Sequence, residues 1–179
     1  NRTVLYATAY SVNASYINMT QKTDLCDIMD TAEDMGLQLA KPREDGSRSL
    51  DRVPAASYAG TDYIAPITMA ASYAGFSGGG VVCTPTPIDK IFDSEGNEVP
   101  FTQNECKQAI DPDVAAGVAY ALEYTVNRGI ATHARSVHGV PHFAKTGTTN
   151  DYWDHWTVGG STEVSTAVWT GNVKGFVST

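Results

Sequence analysis

Lys145-Thr146-Gly147-Thr148-Thr149-Asn150 places a cation, three hydroxyls and a backbone step without a side chain within six positions. Phe143 and Ala144 lead in with strand-compatible residues, and Asn150-Asp151 follows with turn chemistry. The segment therefore reads as an exposed edge strand ending in a tight turn. Such a strand offers its amide N–H groups to an extended peptide. Gly147 lets a ligand backbone approach, and Lys145 with Thr146 and Thr148 can hold a carboxylate. A Lys/Thr-rich surface strand would carry the same letters, and a chain of this length contains Lys-Thr-Gly by chance in roughly one case in twenty or thirty. The triplet has to be read with others.

Ser11-Val12-Asn13 supplies the second motif. A Ser-x-Asn triplet occurs by chance in roughly every second chain of this size, so its weight comes from its setting. It interrupts an apolar, helix-forming stretch (Val4, Leu5, Tyr6, Ala7, Ala9, then Ala14, Tyr16, Ile17) at residues that bond to local backbone rather than continue a helix. Ser-x-Asn at a helix break followed by Lys-Thr-Gly on a late strand is two thirds of a serine acyl-transfer signature, whose remaining third is a Ser-x-x-Lys nucleophile. That third is absent: three residues after Ser11, Ser15, Ser57, Ser72 and Ser136 stand Ala14, Asn18, Gly60, Gly75 and Gly139, and no other serine is followed by lysine at that spacing.

The elements that must position these motifs are bounded by length and composition. At 179 residues the chain is one domain's worth. A net charge of −8 argues against a nucleic-acid surface. No run of about eighteen apolar residues is present, and Asn1-Arg2-Thr3 is not a signal peptide, so any membrane anchor would lie outside these residues. His133, His138, His142 and His155 form no metal-ligand frame, and neither metal nor cofactor is expected. Asn1-Arg2-Thr3, Asn13-Ala14-Ser15 and Asn18-Met19-Thr20 match the glycosylation acceptor pattern.

Along the chain, a helix opens near Thr23-Asp24, buries Leu25, Ile28, Met29, Ala32 and Met35, and ends at Gly36. Cys26 in that helix reads as a small buried residue. Leu39 to Gly60 reads as a long loop. Pro66 opens a helix that Gly78-Gly79-Gly80 ends as a flexible terminus. Ile88–Phe92 and Glu98–Phe101 read as a hairpin around Asp93-Ser94-Glu95-Gly96-Asn97. Asp111-Pro112 caps a helix from Asp113 to about Asn127, with Val114, Val118, Leu122 and Val126 as its face and Gly129 closing it. Thr132 to His142 reads as irregular. Trp156–Val158 and Val164–Trp169 add strands on either side of a Gly159-Gly160-Ser161 turn. Antiparallel strands fed by helices indicate an α+β architecture.

The order of Ala9-Tyr10-Ser11-Val12-Asn13, Ile64-Ala65-Pro66-Ile67-Thr68-Met69-Ala70, Gly78-Gly79-Gly80 before Pro85 and the hairpin, and Lys145-Thr146-Gly147-Thr148-Thr149-Asn150-Asp151 with Asp154 and Trp156 resembles the transpeptidase domain of bifunctional (class A) penicillin-binding proteins, over nearly the whole chain. Cys83 and Cys106 flanking the hairpin make it similar to versions from actinobacterial-type cell walls. The resemblance implies a penicillin-binding protein / serine β-lactamase-like α+β fold, an antiparallel sheet with flanking helices and a helical part, incomplete here. Residues 1–179 would be the C-terminal portion of a single domain, lacking the segment with the nucleophile. It also implies a serine D,D-transpeptidase that cross-links peptidoglycan stem peptides on the extracytoplasmic face of the bacterial membrane and is acylated by β-lactams.

Matched residue by residue, Ser11 would relay a proton, Asn13 would bond the substrate amide, and Lys145 would set the field at Ser11. Thr146 and Thr148 would hold the substrate carboxylate beside Gly147, with the Thr148 amide as half of an oxyanion hole. Partners would be stem peptide or β-lactam and an upstream fragment carrying Ser-x-x-Lys, without which the chain is expected to be inert; nucleic acid is not a partner. A β-lactamase would need a deacylating base, and Glu123-Tyr124-Thr125-Val126-Asn127 has the letters for one but lies inside a helix. A non-catalytic peptidoglycan-binding or β-lactam-sensing module is the other alternative. An extracytoplasmic setting implies a Cys83–Cys106 disulfide, with Cys26 free.

Overall fold

The computed structural model describes residues 2–53, 60–101, 105–175 and 177–179. The expected acceptor at Asn1, and the part of the long loop between 54 and 59, lie outside them. Three helices open the chain: α1 (Val4–Ala9), α2 (Asn13–Thr20) and α3 (Leu25–Asp34). Asp24 caps α3 by accepting the Cys26 N–H at 2.8 Å, and Gly36 leaves it at φ +87°. Met29 is buried with Leu50, and Ile28, Ala32, Leu37, Leu39 and Ile64 pack around them.

Cys26 is exposed, contrary to the sequence expectation. At 100° per residue it lies well to one side of the stripe formed by Leu25, Ile28, Met29 and Ala32. The polar loop after α3 is fastened by arginines. Arg52 reaches Asp30 and Glu33, and Arg48 donates to the Leu39 and Ala40 carbonyls at 2.8 and 2.7 Å.

Helix α4 (Pro66–Ser77) begins with Pro66 in its first turn. Of the glycines after it, Gly80 is in close contact rather than slack. A Cβ on Gly80 would lie 2.2 Å from the Ile110 carbonyl oxygen, and φ there is +85°. Strand β1 (Val81–Cys83), in a stretch expected to form short strands, pairs antiparallel with β2 (Cys106–Gln108), a strand the sequence did not suggest, and Cys83 stands opposite Cys106 in the expected disulfide. The hairpin between them keeps its turn, with Asp93 N–H donating to Asn97 O at 2.9 Å, but its expected strands reduce to a single Phe92–Glu98 bridge.

Helix α5 (Pro112–Arg128) is capped by Asp111, which accepts the Asp113 N–H at 2.8 Å. Its buried face is Ala115, Leu122, Thr125 and Val126, while Val114 is 54% exposed. A strict four-residue spacing drifts 40° per step, so three steps back from Val126 carry Val114 about 120° off the core face. The chain then forms a three-stranded antiparallel meander, β3 (Phe143–Thr148), β4 (Asp154–Gly160) and β5 (Ser165–Gly171), in that order.

Gly159 and Gly160 belong to β4 rather than to the turn, which moves on to Ser161–Val164, where the Ser161 N–H donates to Val164 O at 2.8 Å. Both glycines are needed for strand approach: a Cβ on Gly159 would sit 2.3 Å from the Phe143 oxygen, and one on Gly160 2.4 Å from the Val164 oxygen. Among the described residues no helix is long and apolar enough to cross a membrane.

The disulfide closes a separation of 23 residues, which stabilises by about 3 kcal/mol in the chain-entropy account. Thiol titration in denaturant without reductant should find one reactive group, Cys26, and three after reduction. Three before reduction would refute the bond.

Candidate active site

Helix α1 ends in a Schellman arrangement. The Val12 N–H donates to Ala7 O at 2.9 Å and the Ser11 N–H to Thr8 O at 3.3 Å. This closure requires a left-handed residue just past the helix, usually glycine, and the chain puts Ser11 there at φ +54°. The turn throws the Ser11 hydroxyl off the end of α1 before α2 begins at Asn13. Thr8 Oγ1 and Tyr16 Oη, 2.5 Å apart, tie the two helices across the break.

Helix α5 fixes α1 in space. The Ile130 N–H donates to the Ala9 carbonyl at 3.0 Å, and Tyr10 Oη donates to Arg128 O at 2.8 Å. Gly129 is extended rather than left-handed, and a Cβ on it would meet the Ala9 oxygen at 2.3 Å, so it is glycine for close approach. The same end of α5 holds the sheet, because Val126, Ala131 and Ala144 of β3 form one buried cluster. Phe143 adds a stack on the Tyr73 ring, with centroids 6.5 Å apart.

The two anchors bring Lys145 Nζ to 2.9 Å from Ser11 Oγ, to which it donates across 134 positions of sequence. It also donates to Thr146 O at 2.7 Å. The ammonium is half-buried, no carboxylate of the described residues pairs with it, and burial lowers its pKa below the ordinary lysine value.

Thr146 is half-buried, and Gly147 and Thr148 are exposed, along a strand that is outermost in its sheet among the described residues. Packing does not demand a glycine at 147: its φ is not left-handed, and a Cβ would touch only Trp156 Cβ, at 3.6 Å. Asn13 is the first residue of α2 and exposed, and its side chain bonds to no described residue. The turn after β3 is held by reciprocal bonds, Thr149 N–H to Asp154 O at 3.0 Å and Asp154 N–H to Thr149 Oγ1 at 2.8 Å. Trp169 Nε1 donates to Asp154 Oδ1 at 2.9 Å. Glu123 accepts from Asn127 Nδ2 at 3.4 Å within α5. No cluster among the described residues is arranged to hold a metal.

Sequence reasoning missed His155, whose Nδ1 lies 3.3 Å from Thr148 Oγ1. The register was the available signal, since Thr148 and His155 face each other directly at the end of the β3–β4 pair. It also missed Tyr16 and Tyr10, which brace the serine turn through hydroxyls that no periodicity marks.

A serine and a lysine thus meet beside an exposed strand edge. Residues 1–174 match the penicillin-binding protein transpeptidase domain, and the chain belongs to that family. It is 30% identical over 171 residues to penicillin-binding protein 1A of Aquifex aeolicus, covering 96% of this chain and 22% of that protein. It is also 30% identical to penicillin-binding protein 1B of Haemophilus influenzae, covering 92% and 20%.

Among solved structures it superposes on penicillin-binding protein PonA1 from Mycobacterium tuberculosis with a TM-score of 0.81 and 27% identity, covering 99% of this chain and 50% of that one. The same protein in complex with penicillin V gives 0.80 and 26%, covering 99% and 49%. The chain thus spans about a fifth of the first curated relatives and half of these solved chains. The expected α+β penicillin-binding protein fold is borne out.

Three substitutions probe the geometry. Ser11→Gly should leave stability unchanged or raise it by up to about 1 kcal/mol by relieving the left-handed residue, while lowering acyl transfer by the complete domain at least about 100-fold. A rise in stability without loss of acylation would show that the hydroxyl is idle. Gly129→Ala should destabilise by more than about 2 kcal/mol through the clash with Ala9. Gly117→Ala, which meets nothing within 4 Å on the same helix, should stabilise by about 0.5–1 kcal/mol. Equal thermal shifts for the two would disprove the close-approach account.

Proposed function

We propose that residues 1–179 are the C-terminal portion of one D,D-transpeptidase domain that cross-links peptidoglycan stem peptides and is acylated by β-lactams at the extracytoplasmic face of the membrane. The nucleophile would come from a Ser-x-x-Lys segment outside this chain, and any membrane anchor would lie outside it too. The observation that carries the reading is the 2.9 Å approach of Lys145 Nζ to Ser11 Oγ.

An ammonium only donates, so Ser11 Oγ accepts from it and the serine's own proton remains free to be given away. In acylation the nucleophilic serine gives its proton to the lysine of its own Ser-x-x-Lys segment as its oxygen attacks the D-alanyl carbonyl carbon. The C–N bond to the terminal D-alanine breaks, and the departing nitrogen takes a proton through Ser11. The second half reverses the geometry: an acceptor amine attacks the ester carbon, the C–O bond to the serine breaks, and the proton the amine loses goes to the departing serine oxygen.

Asn13, unbonded within the described residues, is free to bond the substrate amide. Thr146 and Thr148 would donate their hydroxyls to the terminal carboxylate along the β3 edge, and the bare backbone at Gly147 lets the peptide lie close. The Thr148 amide would be half of the oxyanion hole. The lowered pKa of Lys145 lets it pass protons with Ser11 more readily than a solvated lysine would. Against a β-lactamase, Glu123 is engaged with Asn127 on α5, the helix that braces the site.

The test uses labelled penicillin with this chain alone, with this chain plus the Ser-x-x-Lys segment, and with the same pair carrying Lys145→Ala. Label should appear only on the upstream segment and only when both are present. Lys145→Ala should slow labelling about 100-fold or more while leaving the thermal transition in place. Label bound covalently to the isolated chain would overturn the proposal, as would normal acylation in Lys145→Ala. A non-catalytic module would take no label in any combination.

A further inference from the structure

At the exposed end of β3, Thr148 Oγ1 lies 3.3 Å from His155 Nδ1, and the two residues are directly paired across β3 and β4. The imidazole is not a loose surface ring. Tyr152 stacks on it, with centroids 6.1 Å apart and planes 22° from parallel. Tyr152 holds a left-handed backbone, φ +58°, after Asp151 at +57°. Its carbonyl accepts both the Thr179 N–H at 3.0 Å and the Thr179 hydroxyl at 3.1 Å. Two consecutive non-glycine residues in that region are costly, and they serve to lay the tyrosine ring against His155.

A threonine hydroxyl has one proton. If His155 Nδ1 accepts it, the hydroxyl cannot donate to an incoming anion. If Nδ1 carries a hydrogen and donates to Thr148 Oγ1, the threonine proton is left to point out of the strand. We propose that His155 is a positioning residue that donates from Nδ1 to Thr148 Oγ1 and thereby fixes the Thr148 hydroxyl as a donor to the substrate's carboxylate. Its effect on specificity follows: it favours acyl donors with a free carboxylate beside the scissile bond over neutral ones. This inference rests on the transpeptidase reading and deepens it, because it concerns how the β3 edge selects its ligand rather than whether acylation occurs.

The experiment uses the complete domain, this chain with the segment that supplies the nucleophile, and compares acylation by a penicillin with acylation by the methyl ester of the same penicillin. The ester presents no anion to Thr148. His155→Ala should lower the acylation efficiency with the free acid about tenfold, chiefly through weaker initial binding, as befits a lost hydrogen bond to a charged group, and should change the ester's by less than about twofold. His155→Asn, whose amide nitrogen can donate from a similar place, should stay within about threefold of the unaltered domain, and His155→Asp, which can only accept, should fall below His155→Ala.

Equal losses for acid and ester would mean that His155 merely holds the turn, and would overturn the proposal. So would an unchanged efficiency in His155→Ala, or an Asn variant as poor as the Ala variant. An unaltered domain that takes neither compound would remove the transpeptidase reading itself, and this inference with it.

Discussion

The site depends on one constraint, the double grip of the C-terminal end of α5. Within a few residues it receives the Ala9 carbonyl through the Ile130 amide, takes the Tyr10 hydroxyl on the Arg128 carbonyl, and packs Val126 and Ala131 on Ala144. One helix end therefore sets the spacing between a serine near the start of the chain and a lysine near its end. That spacing cannot be relaxed locally: at Gly129 even a methyl group would collide with the Ala9 oxygen. Arg135 adds to the rigidity by donating from Nε to the Val126 carbonyl at 3.1 Å and from Nη2 to the Asn127 carbonyl, satisfying groups a helix end would otherwise leave bare.

The electrostatics follow from what α5 brings together. The chain carries a net charge of −8, yet among the described residues Lys145 has only a hydroxyl and a carbonyl as partners. A carboxylate there would neutralise the cation and raise its pKa. Partial burial without an anion does the opposite and lowers it. The charge is therefore left uncompensated in a half-dry place, where an anionic ligand gains more from it than it would at a solvated surface. Local field, not net charge, decides what this edge attracts.

The fold class was legible because its signals are local. Asp24 and Asp111 as caps, Pro66 and Pro112 in first turns and Gly36 as a left-handed exit each follow from the chemistry of a few neighbouring residues, whereas the stretch Thr132 to His142, expected to be irregular, opens with a short 3-10 turn at Thr132–Ala134. What failed was whatever distance in space decides. Gly159 and Gly160 look like a turn in sequence and are strand residues because the neighbouring backbone passes too close for a side chain. Gly80 looks like slack and is a contact with Ile110 for the same reason. A four-residue spacing that drifts around the helix points Val114 at the core, and composition alone places Cys26 there without regard to its angle on α3. Of the site, Ser11 and Lys145 were readable as motifs, whereas the hydroxyl braces Tyr16 and Tyr10, and His155, were not. A hydrogen bond between side chains far apart in sequence leaves no periodic trace.

Backbone strain in this chain is concentrated at a few side chains. Among the described residues, left-handed non-glycine backbone is confined to Ser11, Asp151 and Tyr152, while eight glycines absorb the same conformation elsewhere. The chain thus uses glycine freely where such a turn is only a matter of path. At the three exceptions a side chain is retained at a conformational cost of order 1 kcal/mol or more each. Ser11 spends it on a hydroxyl that meets Lys145, and Tyr152 on a ring that meets His155 beside Thr148. Both flank the same strand, one at Lys145 and the other at Thr148, three residues further along β3. The departures from local preference therefore bracket the stretch of backbone along which an extended peptide would lie, which is where strain that contributes nothing to folding has a use.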